Sequence, residues 1–275
     1  MNVVSFRNMY SLDYNLKCLF AMNQRWKDNR VFAMWNSPRP TNALLYFKNC
    51  AATFTLPDNE KLYVKQNSLV YIPQGALYKI HFYQCGNELI HTQLLEFVLI
   101  NEEKGNFVAA NKITLVPLPK TYNIGEVFDE IIAIYNKPFF SYSKLKSHIY
   151  TFLHEICKTF HYERIYSKKY MPIAAGIAYL EHDHSYKLSV TEIAQMCHVS
   201  ETCFRKLFQQ YSGMSPTQHR TLHQLRQAKD LLRNGDLTIN EIALHLGFKD
   251  ASYFSRWFKK NSGISPTSYM LHCNT

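Results

Sequence analysis

Glycine is scarce in this 275-residue chain, with nine in total and no cluster of them. The sequence therefore lacks the glycine-rich loop that cradles phosphate in nucleotide-binding proteins. No apolar run approaches the ~18 residues that a membrane span takes. The first twenty residues, interrupted by Arg7, Asp13 and Lys17, do not read as a secretory leader. The seven cysteines (Cys18, Cys50, Cys85, Cys157, Cys197, Cys203 and Cys273) are odd in number and scattered, with no Cys-x-x-Cys. That spacing excludes a zinc ribbon or a disulfide framework and points to reduced thiols in the cytoplasm. Acidic residues are also few, 21 against 31 basic ones for a net charge of +10, which favours an anionic partner without naming one.

What the chain does have is one short pattern written twice. Leu188-Ser189-Val190-Thr191-Glu192-Ile193-Ala194 returns as Leu237-Thr238-Ile239-Asn240-Glu241-Ile242-Ala243, and Ser212-Gly213-Met214-Ser215-Pro216-Thr217 returns as Ser262-Gly263-Ile264-Ser265-Pro266-Thr267. The offset grows from 49 to 50 residues, so the second copy carries one extra residue just before its second helix. Ser189 and Thr238, each followed three positions later by Glu, predict a capping box at the start of a helix. Gly247 supplies a left-handed turn in one copy and His198 takes its place in the other. Ser200 and Asp250 are suited to start the helices that follow. Helix, tight turn, helix is the helix-turn-helix arrangement, whose second helix lies in the major groove of DNA.

Upstream, the pattern is different. Runs such as Ala43–Phe47, Ala52–Leu56, Lys61–Lys65, Ser68–Ile72, Tyr78–Phe82 and His91–Ile100 are rich in aromatic and branched residues and are separated by turn residues. Near residue 120 the apolar period becomes helical, with Val127, Ile131 and Ile134, then Leu145, Ile149, Phe152, Leu153, Ile156 and Phe160 on one stripe. That stripe is suited either to packing on its own barrel or to a dimer seam. The expected fold is α+β: a cupin-like β-barrel or jelly roll over 1–120, linker or dimerisation helices over 121–168, and an all-α domain of two helix-turn-helix motifs over 170–275.

The segment Ile242-Ala243-x-x-x-Gly247-Phe248-x-Asp250-x-Ser252-Tyr253-Phe254-Ser255-Arg256-x-Phe258-Lys259-Lys260-x-x-Gly263-Ile264-Ser265-Pro266 resembles the DNA-binding domain of the AraC/XylS family of bacterial transcription regulators. The front half is similar, more distantly, to the cupin-like effector domain of many members. The resemblance implies a long helix, about Pro216 to Arg233, holding two reading helices on one face of DNA. It places Thr202, Arg205 and Lys206 on the bases from the first helix, and Ala251, Ser252, Ser255 and Arg256 from the second. Lys249, Lys259 and Lys260 are assigned to phosphates, which position a protein without reading sequence. Phe254 and Phe258, with Tyr253 and Trp257, are expected in core and turn packing. From Tyr170 onward there are eleven basic and eight acidic residues, so the assignment to DNA rests on the motif and not on charge.

Catalysis is not expected. His81, His91 and Glu96 are too few and too dispersed for a cupin metal centre, where the usual histidine is replaced by Tyr78, and His182-Asp183-His184 falls in a turn at a helix end. No metal or cofactor is expected. The partners implied are promoter double-stranded DNA, RNA polymerase, a second copy of the chain, and either a small-molecule effector in the barrel or a regulatory protein docked on it. Arg25, Arg30, Lys48 or Lys79 are candidates to neutralise an anionic effector.

Overall fold

The computed structural model describes residues 2–9, 12–86, 88–103, 105–117, 123–139, 141–182 and 187–273. The chain divides into two compact units, Met1–Glu163 and Arg164–Thr275. The first contains β1 (Asn2–Val3), α1 (Phe6–Met9), β2 (Asn15–Trp26), β3 (Val31–Ala33), β4 (Asn42–Phe47), β5 (Cys50–Thr55), β6 (Lys61–Val64), β7 (Ser68–Ile72), β8 (Lys79–Gln84), β9 (Ile90–Asn101), β10 (Gly105–Val108), β11 (Thr114–Val116) and α2 (Ile124–Tyr135), followed by most of α3 (Tyr142–Ile165).

Two sheets result. The smaller runs β3-β8-β5-β6; the larger runs β1-β10-β9-β4-β7-β11, with β2 paired along the length of β9. Strand β4 shows why they pack as they do. All six of its residues are buried, and the two-residue period of a strand sends alternate ones to opposite faces. Ala43, Leu45 and Phe47 join Phe54, Val64, Ile80 and Phe82 of the small sheet in one core. Leu44 and Tyr46 join Phe128, Ile131 and Ile132 of α2 and Leu145, Ile149, Phe152 and Ile156 of α3 in another. With each buried aromatic or aliphatic side chain contributing about 1.5–3 kcal/mol, β4 anchors a three-layer unit of sheet, sheet and helices.

Helices α2 and α3 form a layer of the first unit through Glu163, and the apolar stripe of α3 packs in that unit's own core, the first of the two uses its pattern suggested. The sequence pattern gave no strand before Ala43, yet β2 spans twelve residues. A register shift between Cys18 and Phe20 interrupts its alternation, and Lys17, Asn23 and Arg25 are exposed along it.

The second unit is helical: a 3-10 turn (Met171–Ile173), α4 (Ala174–His182), α5 (Val190–Met196), α6 (Glu201–Ser212), α7 (Pro216–Asn234), α8 (Ile239–His245), α9 (Ala251–Ser262) and α10 (Pro266–Cys273). It has two apolar cores. One gathers Ile173, Ile177, Ile193, Ala194, Phe204 and Phe208; the other gathers Ala228, Leu232, Ile242, Ala243, Phe254 and Phe258. Gly176 lets α4 approach closely: a Cβ there would overlap the Phe204 ring and stand 2.9 Å from Cys197 Sγ. Asp183 and His184 of the sequence triplet lie outside the described residues. Among the described residues no three His, Cys, Asp or Glu side chains are grouped to hold a metal ion, and no helix is long and apolar enough to cross a membrane.

Candidate nucleic-acid interface and barrel cavity

The two motifs are built by the same local bonds. Ser189 Oγ accepts from the Glu192 amide at 3.2 Å while the Glu192 carboxylate accepts from the Ser189 amide at 2.7 Å. Thr238 and Glu241 repeat the exchange at 3.3 and 2.8 Å. Bonds from the Ser189 and Thr238 hydroxyls, and then from their amides, hold both carboxylates below their usual range. The turns that follow need positive φ, supplied by His198 at 55° and Gly247 at 78°. Helix α6 opens on Ser200, whose side chain accepts from the Cys203 amide, and α9 on Asp250, whose side chain accepts from the Tyr253 amide. Both close on a left-handed glycine, Gly213 and Gly263, a conformation in which glycine escapes the Cβ penalty. A third capping box, Ser215 with Gln218, starts α7, the helix that joins the motifs.

These matched frames give matched surfaces. Position by position, residues 201–210 and 251–260 share one burial pattern: Phe204 and Phe208 are buried where Phe254 and Phe258 are, and Thr202, Cys203, Lys206, Gln209 and Gln210 are exposed where Ser252, Tyr253, Arg256, Lys259 and Lys260 are. Of the residues assigned to DNA from sequence, Thr202, Lys206, Ser252, Arg256, Lys259 and Lys260 lie on this exposed surface, Lys249 is exposed in the turn before α9, and Arg205, Ala251 and Ser255 are half-buried at its edge. The alignment makes Arg256 the counterpart of Lys206, and Ser255 that of Arg205. Sequence reasoning passed over Gln209, Gln210 and Cys203, which the 50-residue offset applied residue by residue would have found. It also placed Tyr253 in the packing. Phe254 and Phe258 are fully buried, Trp257 lies against Phe248 at 4.9 Å, and the Tyr253 ring also lies against Phe248, at 5.8 Å, while 53% of the residue stays exposed.

The surfaces differ in charge. Arg205 Nε donates to Glu201 Oε1 at 2.7 Å, and the Thr191 hydroxyl donates to the other Glu201 oxygen. The Thr191 bond, with that of Arg205 second, keeps the Glu201 carboxylate below its usual range. Among the described residues the side chains of Arg256, Lys259 and Lys260 have no hydrogen-bond or ion-pair partner.

In the first unit, a cavity of about 150 Å³ lies inside the barrel, lined by Trp26, Phe32, Leu45, Tyr78, Phe82 and Arg39 among others. None of the four cations proposed from sequence lines it. Arg25, Arg30 and Lys79 are exposed, with Arg30 over the Trp26 ring at 5.8 Å, and Lys48 is paired with Asp129 at 3.0 Å. The cation on the cavity wall is Arg39, which sequence reasoning missed because it sits between prolines in a stretch that reads as a loop. The three side chains weighed as metal ligands are engaged elsewhere: Glu96 pairs with Arg39, His91 Nε2 is 2.9 Å from Asn23 Oδ1, and His81 lies against Tyr83 at 4.3 Å. Burial, then the charges of Arg25 and Lys48, push the His91 pKa down.

Residues 193–271 match the family described as helix-turn-helix domain, which spans both motifs from the middle of α5. The matched segment is the one that resembles the DNA-binding domain of AraC-type regulators. It is 31% identical over 108 residues to an uncharacterised HTH-type transcriptional regulator, YobQ, of Bacillus subtilis, covering 39% of this chain and 43% of that protein. It is 44% identical over 70 residues to the HTH-type transcriptional activator RhaR of Cronobacter sakazakii, covering 25% and 24%. The chain thus spans less than half the length of these curated relatives. Among solved structures it is similar to a regulator from Chromobacterium violaceum with an AraC-type DNA-binding domain, at 25% identity over 38% of this chain and 92% of that one, with a TM-score of 0.33.

Proposed function

We propose that this chain is a sequence-specific regulator of transcription that binds promoter double-stranded DNA through α6 and α9 and has no catalytic activity of its own. The observation that carries the reading is the duplicated surface: two helices, each opened and closed by the same caps, expose the same positions from separately packed cores. A helix so presented fits the major groove, and two on one chain read a long site without twofold symmetry. Arg256 offers a bidentate fork to a guanine edge, Ser252 and Tyr253 offer hydroxyls, and Lys259 and Lys260 stand where phosphates pass. The name of the relative RhaR supports activation, which requires contact with RNA polymerase in the cytoplasm.

Of the two roles left open for the barrel unit, reception of a small effector is favoured over docking of a regulatory protein or a second copy, because the barrel holds a partly open cavity with a buried arginine on its wall. The reading is tested by selecting duplexes from a random pool with the full chain and measuring affinity against salt. A selected sequence bound at least a hundredfold more tightly than random DNA, with an affinity that falls as salt rises, supports it. Equal affinity for selected and random duplexes would contradict it.

A further inference from the structure

The cavity in the barrel is built for a particular kind of molecule. Its wall is apolar over most of its area, with Leu45, Tyr78 and Phe82 all buried. Two hydrogen-bond donors interrupt it. Arg39, 9% exposed, donates from one terminal nitrogen to the Tyr78 hydroxyl at 2.9 Å and from the other to the Glu96 carboxylate. Its Nε is buried and has no partner among the described residues, and the same is true of Trp26 Nε1. Both residues line the cavity. An arginine Nε and an indole nitrogen can only donate, so what the two lack is an acceptor. The wall does not supply one readily: Gln24 Oε1 accepts from Thr92 at 3.0 Å, and the Tyr78 oxygen accepts from Arg39.

Charge narrows the choice. Glu96 already balances Arg39, and no other charged side chain lines the cavity. A carboxylate ligand would bring an unbalanced negative charge into an apolar space, where the loss of hydration is costly. Size narrows it again, because an apolar cavity of about this volume holds a molecule of roughly benzene's size.

Resting on the reading of the barrel as an effector site, we propose that the cavity binds a small uncharged molecule with one carbonyl-type acceptor, such as a cyclic ketone or lactone, whose oxygen takes the free donors of Arg39 and Trp26. This replaces the anionic effector that the basic residues of the sequence pointed to.

The test uses the full chain and four probes of similar size: cyclohexanone, δ-valerolactone, methylcyclohexane and cyclohexanecarboxylate. Binding is followed by calorimetry and by the shift in thermal midpoint, since a ligand that favours the native state stabilises it by mass action. The ketone and the lactone should bind at least tenfold more tightly than methylcyclohexane, with the carboxylate weakest. Trp26→Phe keeps an aromatic ring but removes the donor; in it, the ratio of cyclohexanone to methylcyclohexane affinity should fall severalfold. Arg39→Met is a second variant, and circular dichroism of both reports whether they fold. Tightest binding of the carboxylate, or equal binding of ketone and hydrocarbon, overturns the ligand class while leaving the barrel a receptor. Failure of all four probes to bind overturns the receptor reading itself.

Discussion

The two helix-turn-helix motifs of this chain share a shape and differ in chemistry. Their caps, left-handed turns, terminal glycines and buried phenylalanines coincide, while the exposed positions between them have diverged. In the first motif the surface of α6 carries Thr202, Lys206, Gln209 and Gln210, and Arg205 is tied to Glu201. In the second, α9 carries Ser252, Tyr253, Arg256, Lys259 and Lys260, with no acidic side chain after its cap. The shape is set by residues that satisfy backbone groups or fill a core, and these tolerate little change. The exposed positions cost the fold almost nothing and were free to specialise. The second motif is therefore expected to supply most of the salt-dependent affinity, and the first to add discrimination through an oriented arginine and two amide side chains.

The largest effect should come from breaking one motif's frame and not the other's. Gly176→Ala forces a methyl into the Phe204 ring and against Cys197. Overpacking of this kind costs about 1–3 kcal/mol, and hydrogen exchange should show protection lost in α5 and α6 and kept in α8 and α9. Loss spread equally over both motifs would mean that they are one cooperative block.

Next in size is the reading step. Arg256→Ala should weaken binding to a selected duplex by about 1–3 kcal/mol and relax the preference at one base pair. Glu201→Gln, which loosens the tether of Arg205, should relax preference at a base pair of the other half of the site with a smaller loss of affinity. Losses that are the same on selected and random DNA would assign both residues to phosphates.

A smaller difference is expected in salt dependence. Lys260→Ala should reduce the slope of log affinity against log salt by about 1, and Gln210→Lys, its counterpart in the first motif, should raise it by about 1. An unchanged slope in Gln210→Lys would show that the two helices do not approach the backbone in the same way.

The smallest concerns the matched caps. Glu192 and Glu241 have carboxyl pKa values held below the ordinary 4.5 by their hydrogen bonds. A depressed carboxylate contributes stability that is complete above its unfolded pKa and is lost as pH falls through its folded one. Thermal unfolding between pH 7 and pH 3 should thus show a loss beginning near pH 4.5. The loss should be reduced by Glu192→Gln and by Glu241→Gln to the same extent.

How much of this was legible in sequence depends on how local each feature is. A capping box is a matter of four residues, and His198 and Gly247 could be set in left-handed turns by position in the repeat alone. Strand β2 was not legible because the bulge near Cys18 shifts its two-residue period and because one edge-exposed polar residue follows another along it. The cavity was less legible still. Arg39 meets Tyr78 and Glu96 across 39 and 57 residues of sequence, so nothing in its own neighbourhood distinguishes it from the exposed Arg25 or Arg30. For α6 and α9 the repeat offset already paired Arg205 with Ser255 and Lys206 with Arg256; what it did not carry was the tie of Arg205 to Glu201, which depends on where Thr191 of the preceding helix lies.

The central claim is that one chain reads two segments of the same duplex with α6 and α9, and it is tested most directly by changing the distance between those segments. Once a bound sequence has been selected and its two contacted halves mapped, inserting five base pairs between them turns one half about 180° away from the other. The account predicts a loss of at least a hundredfold in affinity for the inserted duplex, with most of it recovered by neither half alone. Undiminished affinity for that duplex would contradict it, because the two helices would then not be engaging a single site together.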